Sequence, residues 1–191
     1  MTKSEINKIV KKLQDENIFI LSALKQETEN IEGVIHTGLG KINAAIKTTE
    51  IILKYQPKII INYGTCGSIN KDLSGLIKCT KFIQHDIDCS PLGFLKGMTP
   101  FDEVNDINFS REGYVCASGD IFVTDASKIE ADVVDMEAYS IAKACMKMNI
   151  DFKCYKYITD SADGSASLDW AENCSNGVEL FIQEIIKNYL S

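Results

Sequence analysis

A glutamate at a strand-to-helix junction is the most informative chemical group in this sequence. Val134-Asp135-Met136-Glu137-Ala138 joins the β-branched pair Val133 and Val134 to a helical pattern with Ile141, Cys145 and Met148 as its apolar positions. In the first helical turn, Glu137 would feel the positive end of the helix dipole, which favours the ionised form. A carboxylate fixed there can accept two hydroxyl hydrogen bonds, such as a ribose diol supplies. The plainer reading of the same residue is a glutamate that only helps to cap a helix. Other polar or glycine-rich clusters follow apolar runs: residues 22–27 (SALKQE), Gly64-Thr65-Cys66-Gly67, Gly119-Asp120-Ile121-Phe122-Val123, and Thr159-Asp160. In a parallel sheet such strand ends converge on one rim. Three carboxylates, an aromatic ring and a glycine turn on one rim suit a sugar bearing a flat heterocycle.

The elements that would hold these residues alternate between strand and helix. Ile6, Ile9, Val10 and Leu13 form an amphipathic stripe, which predicts a helix over 3–14. Strands are predicted at 17–21 and 33–37, the second ending at Gly38-Leu39-Gly40, and a helix at 41–54 stopped by Pro57. Residues 58–62 (KIIIN) read as a strand buried on both faces, with Gly64 to Gly67 turning away from its end. Further strands are predicted at 76–84, 113–118, near 132–135 and at 152–159, with helices at 137–149 and about 168–190. Residues 89–112, with Pro91, Gly93, Gly97 and Pro100, read as an irregular excursion. The alternation predicts an α/β fold: a single domain over 1–191, a three-layer sandwich with a mostly parallel, mixed central sheet flanked by helices.

Bulk properties narrow the field. A chain of 191 residues can bury a sizeable core. A net charge of −7 and a single arginine, Arg111, argue against nucleic acid or an anionic membrane as partner, and leave one candidate for a guanidinium clamp on phosphate. Seven cysteines without CxxC spacing, and two histidines, make no zinc pattern, so a reducing, cytoplasmic setting is expected. Neither a secretory leader nor a transmembrane run is visible.

Taken in order, several pieces resemble the purine nucleoside phosphorylase/nucleosidase superfamily, and within it the 5′-methylthioadenosine/S-adenosylhomocysteine nucleosidases. They are Gly38-Leu39-Gly40-Lys41-Ile42-Asn43-Ala44-Ala45, Ile61-Asn62-Tyr63-Gly64-Thr65-Cys66-Gly67, His85-Asp86-Ile87-Asp88, Ser118-Gly119-Asp120-Ile121-Phe122-Val123, Val134-Asp135-Met136-Glu137-Ala138 and Ile158-Thr159-Asp160-Ser161-Ala162-Asp163. The resemblance implies a nucleoside phosphorylase-like fold, a small-molecule purine nucleoside as partner, a homodimer, and no metal or organic cofactor. It implies Asp160 as the acid that protonates purine N7, with burial raising its pKa. Glu137 would hold the ribose hydroxyls and Met136 would lie against the sugar. Phe122 would stack on the purine, and the backbone of Val123 would read its edge. Thr65 and Gly67 would line the sugar and the site of the attacking water or phosphate.

Glu27, in Ala23-Leu24-Lys25-Gln26-Glu27, keeps the spacing of the family's Ala-Met-x-x-Glu, whose glutamate activates water; Leu24 is carried over as a pocket residue. The next strand arrives soon afterwards, and Glu29 and Glu32 offer other registers. His36 reads as structural and His85 as shaping a loop or subunit contact. Phe94, Met98 and Phe101 lie in the segment that reaches the neighbouring pocket in dimeric relatives. Hydrolysis of a purine nucleoside to free base and sugar is the leading expectation. A phosphate-dependent phosphorylase, a non-catalytic nucleoside-binding relative and an unrelated flavodoxin-like module are the alternatives.

Overall fold

The computed structural model describes residues 1–190. Helix α1 (Lys3–Asp15) begins at a capping box: the Thr2 hydroxyl accepts from the Glu5 N–H, and the Glu5 carboxylate accepts from the Thr2 N–H at 2.7 Å. Next come β1 (Ile18–Ser22), a 3-10 turn at Gln26–Thr28, β2 (Ile35–His36), α2 (Lys41–Tyr55), β3 (Ile59–Ser68) and β4 (Leu76–Gln84). The second half holds β5 (Ile107–Asn108), β6 (Tyr114–Ser118), β7 (Val133–Asp135), α3 (Ala138–Lys147), β8 (Asp151–Asp160), α4 (Ala166–Asn173) and α5 (Val178–Tyr189).

Alternation along the inner strands divides the core in two, because successive side chains point to opposite faces. Ile18, Ile20, Ile61, Tyr63 and Tyr155 pack with Phe181, Ile182 and Ile185 of α5, and with Val10 and Leu13 of α1. Phe19, Leu21, Ile60, Phe152 and Cys154 pack on the other side with Ile51 and Ile52 of α2 and Ile141 and Cys145 of α3. The sheet is therefore the middle of three layers, as expected. The N-terminal helix, whose role the sequence left open, covers one face of that sheet.

The sheet is mixed and mostly parallel. β1 pairs in parallel with β2 and β3, β3 with β8, β6 with both β4 and β7; the β3–β7, β4–β5 and β4–β8 pairings are antiparallel. It also closes on itself, since the chain of neighbours β3-β7-β6-β4-β8 returns to β3. Short β5 lies inside the segment read as irregular. It pairs with β4, and Ile107 is buried there.

Two expectations need correction. Residues 64–67 are not a turn: β3 runs on to Ser68, paired with β8, with a register shift between Cys66 and Gly67. Its glycines serve close approach. A Cβ at Gly64 would lie 3.2 Å from Glu27 Oε1 and 3.3 Å from Lys156 Nζ, and one at Gly67 would lie 2.7 Å from Asp160 Oδ1. Likewise, the predicted helix over 168–190 is two helices. Gly177 caps α5 where a Cβ would collide with the Tyr157 ring, so the backbone itself rests on that ring.

Candidate active site

A cavity of about 250 Å³ opens beside the ends of β1, β3, β7 and β8. Its wall contains every residue that the resemblance assigns to catalysis or substrate binding: Leu24, Glu27, Thr65, Gly67, Phe122, Val123, Met136, Glu137 and Asp160. The pairing of the strands brings them together. β3 and β8 run in parallel, so Thr65, Gly67 and Asp160 arrive together. β7 joins at the Gly67 end and delivers Met136 and Glu137. Thr65 and Gly67 are strand residues two apart, which places both on one face.

Glu27 sits in the 3-10 turn after β1 and is 4% exposed. Its Oε1 accepts from the Thr65 N–H at 2.9 Å and the Thr65 hydroxyl at 2.8 Å. Its Oε2 accepts from the Leu24 N–H at 2.9 Å and the Ser22 hydroxyl at 3.1 Å. Glu29 and Glu32 are exposed, so only Glu27 of the three acidic candidates reaches the cavity.

Glu137 is the N-cap of α3 rather than a residue of its first turn. Its Oε1 accepts from the Gly40 N–H at 2.7 Å. Burial, and then the Asp135 charge beside it, push its carboxyl up to about 8. The ionised form expected at the helix start is therefore not the favoured one: burial and Asp135 outweigh Lys156 and the Gly40 N–H, which oppose them. The first N–H groups of α3 are taken by others. Ala138 N–H donates to Asp135 Oδ2 at 2.9 Å, and Tyr139 N–H to Ser118 Oγ at 2.9 Å. Asp135 also pairs with Lys156 at 2.7 Å, both side chains being at most 2% exposed. Burial alone would raise Asp135, but Lys156 outweighs it and holds the carboxyl below its ordinary value. Lys156 is raised by Asp135 against its own desolvation. Removing one partner of such a buried pair costs about 3–5 kcal/mol.

Asp160 ends β8. Burial raises its carboxyl, opposed by the Ala162 N–H at 2.9 Å and the Thr159 hydroxyl at 2.8 Å. Phe122 is 45% exposed and on the cavity wall, so it is not core. Leu39, Ile121 and Trp170 add apolar wall that the sequence reading missed. Trp170 stands on α4, and its indole N–H donates to Thr65 Oγ1 at 2.9 Å. The sequence signal for it was faint: a sole tryptophan shortly after Asp160, inside what read as one long helix. Asp135 was visible only as a neighbour of Glu137, and its buried partner Lys156 looked like an ordinary strand residue.

The histidines stay outside this wall. His36 Nε2 lies 3.0 Å from Thr28 Oγ1, and the His85 ring lies against the backbone of Gly119. Phe94 and Phe101 meet edge-on at 5.4 Å, and Phe101 is almost wholly exposed. The segment carrying them is tied to α3 by Lys143 and Asp102 at 2.7 Å.

A closed mixed sheet between two helical layers, with carboxylates gathered at its strand ends, defines a nucleoside phosphorylase-like α/β protein. The phosphorylase superfamily model matches residues 28–191, and the chain belongs to that superfamily. It is 30% identical over 162 residues to the 5′-methylthioadenosine/S-adenosylhomocysteine nucleosidase of Staphylococcus haemolyticus, covering 71% of each chain. It is 28% identical over 228 aligned positions to the nucleosidase of the same name from a Buchnera aphidicola strain, covering 91% of this chain and 98% of that one. In fold it is similar to a Helicobacter pylori nucleosidase variant solved with 5′-methylthioadenosine in its active site. The TM-score is 0.79 at 23% identity, covering 89% of this chain and 97% of that one.

Proposed function

We propose that this protein hydrolyses the N-glycosidic bond of a purine nucleoside of the methylthioadenosine or S-adenosylhomocysteine kind, releasing free base and sugar. The observation that carries this reading is the lack of a cation on the cavity wall. Glu27, Asp135, Glu137 and Asp160 line it, and no lysine or arginine does so among the described residues. The buried lysine beside them, Lys156, is committed to Asp135 at 2.7 Å. A phosphate dianion there would find no free cation, whereas water needs only a hydrogen-bond acceptor. This favours hydrolysis over phosphorolysis. The names of the nucleosidases to which the chain is similar support the substrate class.

In this account the purine lies on Phe122, with its edge at the Val123 backbone. The ribose rests on Met136, with its hydroxyls at Glu137. Asp160 gives a proton to N7 as the bond from C1′ to N9 breaks, so the base departs neutral and the sugar gains oxocarbenium character. Water bound by Glu27 attacks C1′ and yields its proton to that carboxylate. Burial raises the Asp160 carboxyl, which is the direction a proton donor requires. Thr65 and Gly67 border the space left for water, and Leu24 closes the wall beside Glu27.

A homodimer and a cytoplasmic setting belong to the same reading. The exposed apolar side chains of α2, Ile42, Ile46 and Leu53, support the first, and seven free thiols support the second. No helix among the described residues is long and apolar enough to cross a membrane. The test is incubation with adenosine, inosine, methylthioadenosine and S-adenosylhomocysteine in phosphate-free buffer, with free base measured by chromatography. Base release is expected, fastest with one of the two thio-nucleosides. Binding without release would overturn the reading in favour of a non-catalytic nucleoside-binding protein.

A further inference from the structure

Trp170 is the sole tryptophan of the chain, and it does more than fill the cavity wall. Its indole N–H reaches Thr65 Oγ1 at 2.9 Å, and that hydroxyl lies 2.8 Å from Glu27 Oε1. An indole N–H only donates, and a threonine hydroxyl has one proton. With an acceptor lone pair of Thr65 occupied by the indole, the hydroxyl proton is left for Glu27. The direction of the relay is therefore fixed: Trp170 to Thr65 to Glu27. The Thr65 N–H reaches the same carboxylate oxygen at 2.9 Å, while the Leu24 N–H and Ser22 hydroxyl hold the other. A phenylalanine would supply the same apolar wall without the donor, so the wall alone does not require this residue type. α4, which carries Trp170, follows directly on the strand that ends in Asp160.

We propose that Trp170 is a positioning residue for Glu27, orienting its carboxylate through Thr65 for the chemical step rather than for substrate affinity. This rests on the nucleosidase reading above. Trp170→Phe keeps the aromatic wall and removes the donor. With methylthioadenosine, kcat should fall about tenfold, the loss of one hydrogen bond in the transition state, while KM stays within about twofold. In a Glu27→Gln background the same substitution should change kcat by no more than about twofold, because the group it orients is already gone. A wild-type kcat in Trp170→Phe, or an undiminished tenfold effect in the Glu27→Gln background, would overturn the proposal.

A second measurement needs no variant of Trp170. The sole indole gives one 1H–15N signal in the wild type. It should exchange slowly with solvent and move in Thr65→Val. Rapid exchange, or a signal indifferent to Thr65→Val, would overturn the relay. Absence of base release by the wild type, with the slowly exchanging signal present, would instead overturn the nucleosidase reading and with it the relay's role in turnover.

Discussion

Glu137 and Asp160 present two carboxyls to one cavity, and their surroundings give them different work. Asp160 is raised by burial, although a backbone N–H and a hydroxyl oppose the shift. It can carry a proton to a leaving base and has room beside Gly67 because that residue lacks a side chain. Asp160→Asn should lower kcat by about 10²–10⁴-fold, the range for a positioned general acid, with an unchanged circular dichroism spectrum. Undiminished turnover would remove it from the mechanism. Glu137 is pushed from its ordinary 4.5 up to about 8 by burial and by Asp135. A carboxyl raised in the folded state favours folding fully below about 4.5, and that contribution is lost as pH rises through about 8. Glu137→Gln should therefore flatten the decline in unfolding free energy across that window, followed by urea titration at a series of pH values. A wild-type slope in the variant would place the proton elsewhere.

At the scale of elements, the sequence was most legible where burial is two-sided and periodic. The run Ile59-Ile60-Ile61 announced β3, and the stripe from Ile6 to Leu13 announced α1 within a residue of its ends. Where glycines intervened the reading failed, because glycine marks both turns and close approach. Gly64 and Gly67 looked like the end of a strand. They are strand interior, left bare so that Glu27, Lys156 and Asp160 can come near the backbone. Those neighbours are distant in sequence, so no local pattern could announce them. Gly177 failed for the same reason, since its need for space comes from Tyr157. Gly177→Ala should cost about 1–3 kcal/mol of stability, as overpacking does, read from the urea midpoint of unfolding. A variant as stable as the wild type would show that the joint between α4 and α5 gives way freely.

At the scale of the molecule, strand ends that are scattered along the chain meet at one cavity because the sheet is mostly parallel and closes on itself. This much followed from strand–helix alternation; the closure did not, since it depends on the β4–β8 and β3–β7 pairings across the chain. The exposed row on α2 is a whole-molecule feature as well. Light scattering coupled to gel filtration should give the mass of a dimer, and Ile46→Lys should shift it towards the monomer, because a charge buried in an apolar interface is costly. A monomeric wild type would contradict that part of the account.

The central claim is that water attacks the sugar in a cavity walled by carboxyl groups, with no lysine or arginine on that wall among the described residues. Base release from methylthioadenosine should be followed while phosphate is raised from zero, with the sugar product examined by 31P NMR. The account predicts a rate that does not need phosphate and a sugar without phosphorus. Release that begins only when phosphate is added, with a sugar 1-phosphate signal appearing alongside the base, would contradict it and take Glu27 out of the chemistry.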